Sequence, residues 1–217
     1  MSSDYSRSLL VLSDTLARQV KWIHGGTVVS VGGAIYRRLA REMQQRGIQL
    51  HDYMVIIVIC GVNDCQRQRE EWASSWREVR EQLESLTDHP CTSVIMHGPL
   101  CVPMKRGDSS HTTWAMDQFK SSFPQGYFYY VDWSGTTDNP FVDFNGDLNA
   151  AYFLPDRVHV NYQGFRQIWK AACAFIPQLQ LVSFKLSSKR SYASGVQRVR
   201  APGVTNEVPS TSKKRRH

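Results

Sequence analysis

Asp156 and His159 stand three residues apart in Asp156-Arg157-Val158-His159-Val160-Asn161, a loop that leads into a helical stretch from about Tyr162 to Phe175. A carboxylate at that spacing can hydrogen-bond one ring nitrogen of the imidazole and leave the other to act as a general base. By itself the spacing also fits a loop histidine beside an acid, and the chain has seven histidines. Gly61-Val62-Asn63-Asp64 follows an apolar run, and alone such a sequence is more often a turn or helix cap than a catalytic one. Ser13-Asp14-Thr15 follows another apolar run and supplies two hydroxyls and a carboxylate. What raises these short patterns above chance is their occurrence together, in order, at strand ends. Cysteines at 60, 65, 91, 101 and 173 form no CxxC pair, and the remaining histidines show no ligand spacing, so neither a metal nor a cofactor is expected.

The elements that must position these residues are legible from periodicity. Leu9–Leu12, Thr27–Val31, Met54–Cys60, Thr92–His97 and Tyr127–Val131 read as five strands, the third apolar on consecutive positions like a central parallel strand. Helices are expected over Leu16–Ile23, where Leu16, Val20 and Ile23 recur at helical spacing, over 34–45, over 66–86, around 110–123 and over 162–175 with Asn161 as N-cap. Alternation of strand and helix predicts an α/β three-layer sandwich, a five-stranded parallel sheet of flavodoxin-like type with helices on both faces. Ligand sites in such sheets gather outside the carboxyl ends of the strands. Residues 13–15, 32–33, 61–64, 97–98 and 132–133 occupy those ends. His97 could line the pocket there, though a hydrogen-bonded structural role is expected for it. Trp72 and Trp76, four apart, should pack on the sheet or on a partner. The run Tyr127-Phe128-Tyr129-Tyr130 reads as a buried strand rather than a base-stacking platform.

In these motifs the chain resembles the SGNH (GDSL-type) hydrolases, over about residues 8–176. Gly61-Val62-Asn63-Asp64 is similar to that family's third block and Asp156-Arg157-Val158-His159 to its last. Gly33, with Gly32 as the alternative, is similar to its second-block glycine. The first block departs from the pattern: Ser13-Asp14-Thr15 replaces Gly-Asp-Ser, so Thr15 takes the place of the nucleophilic serine. The resemblance implies an acyl esterase or deacetylase-like enzyme without cofactor, acting on a small or acylated substrate. In it Thr15, Asp156 and His159 would be catalytic, and the amides of Thr15 and Gly33 with the side chain of Asn63 would form the oxyanion hole. Asp14, Ser13 and Asp64 would support the site. Threonine keeps a hydroxyl, but its methyl group stiffens χ1 and crowds an approach to a carbonyl carbon. A degenerate site retained as a binding module is therefore the alternative. Ser13 lies two residues too early to replace Thr15.

Charge divides the chain. The formal net charge is +7 and the pI about 9.3, yet residues 181–217 hold nine basic residues and one acid, which leaves seventeen basic and eighteen acidic residues in 1–180. The domain is thus expected at 1–180 and a basic, disordered tail at 181–217. Lys213-Lys214-Arg215-Arg216 fits a localisation signal or a nucleic-acid contact, and also a solvated terminus. SGNH-like domains beside nucleic-acid-binding segments occur in some animal retrotransposons, and the layout here is similar. No apolar run is long enough to span a membrane and no secretory leader is apparent, so an intracellular location, cytoplasmic or nuclear, is expected.

Overall fold

The computed structural model describes residues 8–14, 20–23, 26–65, 67–87, 91–100, 109–123, 126–134, 138–143 and 145–186. Five strands, β1 (Leu9–Ser13), β3 (Thr27–Ser30), β4 (Val55–Ile59), β5 (Ser93–His97) and β6 (Phe128–Val131), form one parallel sheet in the order β3-β1-β4-β5-β6. The order places β1 in the interior with β3 on one side and β4 on the other, so the connection reverses direction between β1 and β4. A crevice opens at the carboxyl ends of strands at such a switch point.

Alternation along the strands divides the core into two layers. Leu10, Leu12, Ile56, Val58, Val94 and Met96 face one way, into a cluster with α1 (Tyr36–Gln45), α2 (Arg69–Glu84) and α3 (Ser109–Ser122). Leu9, Val11, Ile57, Ile59 and Ile95 face the other, into a cluster with α4 (Tyr162–Phe175). Burying side chains of this size stabilises by roughly 1.5–3 kcal/mol each, so both layers hold the strand ends in fixed register. Trp72 and Trp76 pack edge-on against Tyr36 and beside Phe119, which locks α2 to α1 and α3. Glu78 of α2 also pairs with Arg37 and Arg41 of α1. β6 is one of the two edge strands; Phe128 is buried, whereas Tyr127 just before it is exposed.

One element differs from the sequence expectation. Val20–Ile23 is not helical but a strand, β2, paired antiparallel with β7 (Phe184–Leu186). The apolar spacing that suggested a helix is overridden by a partner more than 160 residues away, which no local pattern announces. Residues 184–186 lie on the tail side of the boundary expected at 180/181. Leu16 and its neighbours to Gln19, and everything after Leu186, including Lys213, Lys214, Arg215 and Arg216, lie outside the described residues. No helix among the described residues is long and apolar enough to cross a membrane.

Candidate active site

Ser13 ends β1 fully buried, its hydroxyl donating to the Asp14 carbonyl at 2.9 Å, while Ser30 donates to the same oxygen at 3.2 Å. Backbone bonds carry the sheet one step further: the Asp14 amide donates to Ile59 O at 3.1 Å and the Val31 amide to Ser13 O at 3.0 Å. The carboxyl ends of β3, β1 and β4 therefore stay side by side as the chain turns off the sheet. Asp14 is fully buried at this junction. Thr15 lies outside the described residues.

The Gly32–Gly33 turn closes with the Ala34 amide on Val31 O at 3.1 Å. Of the two glycines Gly33 has the left-handed conformation, φ +65°, which disfavours any side chain there. The Gly32 carbonyl accepts from Arg38 at 3.2 Å. After β4, the Asp64 and Cys65 amides both return to the Gly61 carbonyl at 3.0 Å, forming a tight turn that presents Asn63. Gly61 has φ +118°, and a Cβ there would sit 2.5 Å from the Tyr36 hydroxyl, so only glycine allows the close approach. The Asn63 side-chain amide donates one hydrogen to the Ala34 carbonyl at 3.0 Å. That bond assigns Nδ2 to the inward side and draws Asn63 against the loop that carries Gly33.

The second half of the site is built before α4. The Asp156 carboxylate accepts from the amides of Val158 at 2.9 Å and His159 at 3.0 Å through one oxygen, and meets His159 Nδ1 at 2.6 Å through the other. Arg157 takes a positive φ of 54° so that the loop can fold back, and the Leu154 amide donates to His159 O at 2.7 Å. Burial alone would raise the Asp156 carboxyl, but the two amides and the imidazole outweigh it and hold the group below its ordinary value. A carboxylate facing Nδ1 requires the hydrogen there, which makes Nε2 the nitrogen with the lone pair. His159 is only 20% exposed and Asp156 37%, so the pair is sheltered yet reachable.

Asn161 secures this loop to the helix. Its oxygen accepts from the Gly164 amide at 3.0 Å as the N-cap, and its nitrogen donates to Ala151 O at 2.8 Å and Phe153 O at 3.1 Å. A Cβ on Gly164 would collide with the Tyr152 carbonyl, so glycine lets α4 start close beneath the loop. Val62, next to Asn63, and Val160, next to His159, are buried in the same apolar cluster. The two halves thus rise from one core at the carboxyl end of the sheet.

No family model and no curated protein matches the chain. Solved structures do. A candidate acylhydrolase from Bacteroides fragilis superposes with a TM-score of 0.61 at 14% identity, over 79% of this chain and 87% of that one. A GDSL-like lipase from Bacteroides thetaiotaomicron gives 0.57 at 13% identity over 81% and 89%. A variant of an acetyl-xylooligosaccharide esterase from a Geobacillus species gives 0.54 at 16% identity over 79% and 93%. The chain has the fold of the SGNH hydrolases. On this SGNH fold Ser13 ends β1 and Asp14 follows it, Gly33 follows β3, Asn63 and Asp64 follow β4, and Asp156 and His159 precede α4.

His97 departs from expectation. It ends β5 fully buried and stacked on Trp133, with ring centroids 5.9 Å apart and planes at 18°, but neither ring nitrogen has a hydrogen-bond partner among the described residues. Burial drives its pKa from 6.5 to about 3, so it is a neutral core residue. Motif reading passed over Tyr36, Ser75 and the Ala34 carbonyl, which brace the Asn63 turn; nothing in the sequence links them to residues 60–64. A cavity of about 240 Å³ lined by Met54, Cys91, Tyr129 and Phe175 lies at the opposite, amino end of the strands. Among the described residues no group of three or more His, Cys, Asp or Glu is placed to hold a metal ion.

Proposed function

We propose that the chain is an SGNH-type ester hydrolase in which Thr15 is the nucleophile, His159 the general base and Asp156 its orienting carboxylate. The observation that carries this reading is the 2.6 Å contact of Asp156 with His159 Nδ1, at the end of the sheet where the first-block residues also emerge. In the reaction His159 Nε2 takes the Thr15 proton as the hydroxyl oxygen attacks the ester carbonyl. The oxyanion formed is met by the amides of Thr15 and Gly33 and by Asn63. Collapse expels the alcohol, which receives the proton from His159, and water then releases the acid from the acyl-threonine by the same steps. Acetyl esters are the substrate class to try first, since one structural neighbour is an acetyl-xylooligosaccharide esterase.

The test is p-nitrophenyl acetate hydrolysis by the wild type, Thr15→Ser, Thr15→Ala and His159→Ala. The expected result is activity in the wild type, equal or higher activity in Thr15→Ser, and loss in the other two. A wild type no faster than His159→Ala refutes the enzyme. One observation favours a second reading: Ser13-Asp14-Thr15 stands where the family has Gly-Asp-Ser. Activity gained only in Thr15→Ser would identify a decayed site kept as a binding module, in the retrotransposon-like layout where the tail contacts nucleic acid. Tail-dependent binding should then fall steeply with salt and vanish on truncation after residue 187.

A further inference from the structure

Helix α1 begins without a cap of its own. Ile35 at the N-cap offers no side-chain bond, and the first turn contains no acid. The exposed amides at the start of a helix need acceptors, and the positive end of its dipole favours a carboxylate. Both are supplied from the turn after β4 and from α2. The Tyr36 amide donates to Asp64 Oδ2 at 3.1 Å and the Arg37 amide to Ser75 Oγ at 2.9 Å. Asp64 is fully buried. Around it lie Cys60, just after β4, Tyr36 and Arg37 from α1, Ser75 from α2, and Arg67 from its own turn.

Among the described residues the bond to Tyr36 is one of four that join the segment Ala34–Tyr36 to the segment Cys60–Asp64. The others are the Asn63 amide on Ala34 O at 3.0 Å, the Tyr36 hydroxyl on Cys60 O at 2.8 Å and the longer contact of the Cys60 thiol with Ala34 O at 4.0 Å. Gly33 precedes the first segment and Asn63 belongs to the second. The separation of the two donor groups is thus set where these segments are tied, with bonds on both sides of Asn63.

We propose that Asp64, by capping the first amide of α1, holds the Gly33 and Asn63 loops at a fixed separation and is a positioning residue of the hydrolase site. The proposal rests on the reading of Gly33 and Asn63 as oxyanion donors. Displacing a donor by a fraction of an ångström weakens a hydrogen bond that matters most in the transition state, so the loss appears in kcat rather than KM.

Asp64→Ala, the milder Asp64→Ser and the isosteric Asp64→Asn test it in the full chain. In Asp64→Ala and Asp64→Ser the Tyr36 amide should exchange with solvent at least tenfold faster while the amides of Leu39–Met43 stay protected. The NMR signals of the Gly33 amide and the Asn63 side chain should shift together, and kcat for p-nitrophenyl acetate should fall about tenfold to a hundredfold with KM within about twofold. Asp64→Asn keeps an acceptor for Tyr36 and should restore all of these to within about threefold. If the Ala variant does not fold, the Ser variant decides. Unchanged Gly33 and Asn63 signals, or equal impairment of the Ala and Asn variants, overturns the proposal. If every protein including the wild type fails to hydrolyse the ester, the hydrolase reading falls and the exchange and shift measurements alone decide the capping role.

Discussion

His97 and Asp64 should give the folded state two opposed pH dependences that nearly cancel in the wild type. His97 is buried and its pKa falls from 6.5 to about 3. Its unfolded form binds the proton more readily, so the stability it contributes is complete above pH 6.5 and is lost as pH falls toward 3. Asp64 is the reverse case. Burial, only partly offset by Ser75, the Tyr36 amide, Arg67 and Arg37, raises its carboxyl from 3.8 to about 7. The folded form now holds the proton more tightly, so its contribution is complete below 3.8 and lost as pH rises through about 7. Between pH 7 and pH 5, linkage with these pKa values gives a loss of about 2 kcal/mol from His97 and a gain of about 2 kcal/mol from Asp64. The two belong to different core layers, His97 against Trp133 and Asp64 against Tyr36, so their effects should add. His97→Phe keeps the stack on Trp133 and removes the titration; relative to wild type it should gain about 2 kcal/mol as pH drops from 7 to 5. Asp64→Asn should lose about as much over the same interval. Urea unfolding followed by tryptophan fluorescence resolves the effect, since about 2 kcal/mol moves the midpoint by roughly 1 M. Stability–pH curves of His97→Phe and wild type that run parallel would refute the assignment of His97 as a neutral core imidazole.

Further outcomes follow from the site. Asn63→Ala should lower kcat for p-nitrophenyl acetate about a hundredfold to a thousandfold with little change in KM, as expected for a lost oxyanion donor; a loss under tenfold contradicts that role. Asp156→Asn leaves the loop in place but offers no carboxylate to Nδ1, and kcat should drop by about three orders of magnitude or more, measured in the same assay. Asn161→Ala removes the α4 cap and both loop bonds, and should cost about 2–3 kcal/mol in chemical denaturation; a cost under about 0.5 kcal/mol would mean that the loop is held without it.

Local chemistry alone was enough to determine much of this protein. The strands were legible because short, β-branched apolar runs bounded by turn residues, such as Val55–Ile59, fit a parallel strand covered on both faces. The pairing of Asp156 with His159 and the Asn161 cap were legible because each involves residues within three positions of one another, where chain geometry leaves few alternatives. The tertiary structure decided what depends on distant partners. Val20–Ile23 became a strand because Phe184–Leu186 lies alongside it, and His97 became a core residue because the closing layers bury it, with Trp133 stacked on its ring and no hydrogen-bond partner for either ring nitrogen among the described residues. Asp64, expected only to support the site, caps α1 because Tyr36, 28 positions away, brings its amide to the carboxylate. Periodicity reports which face of an element is apolar, but the identity of the group across the interface is set only when the layers close.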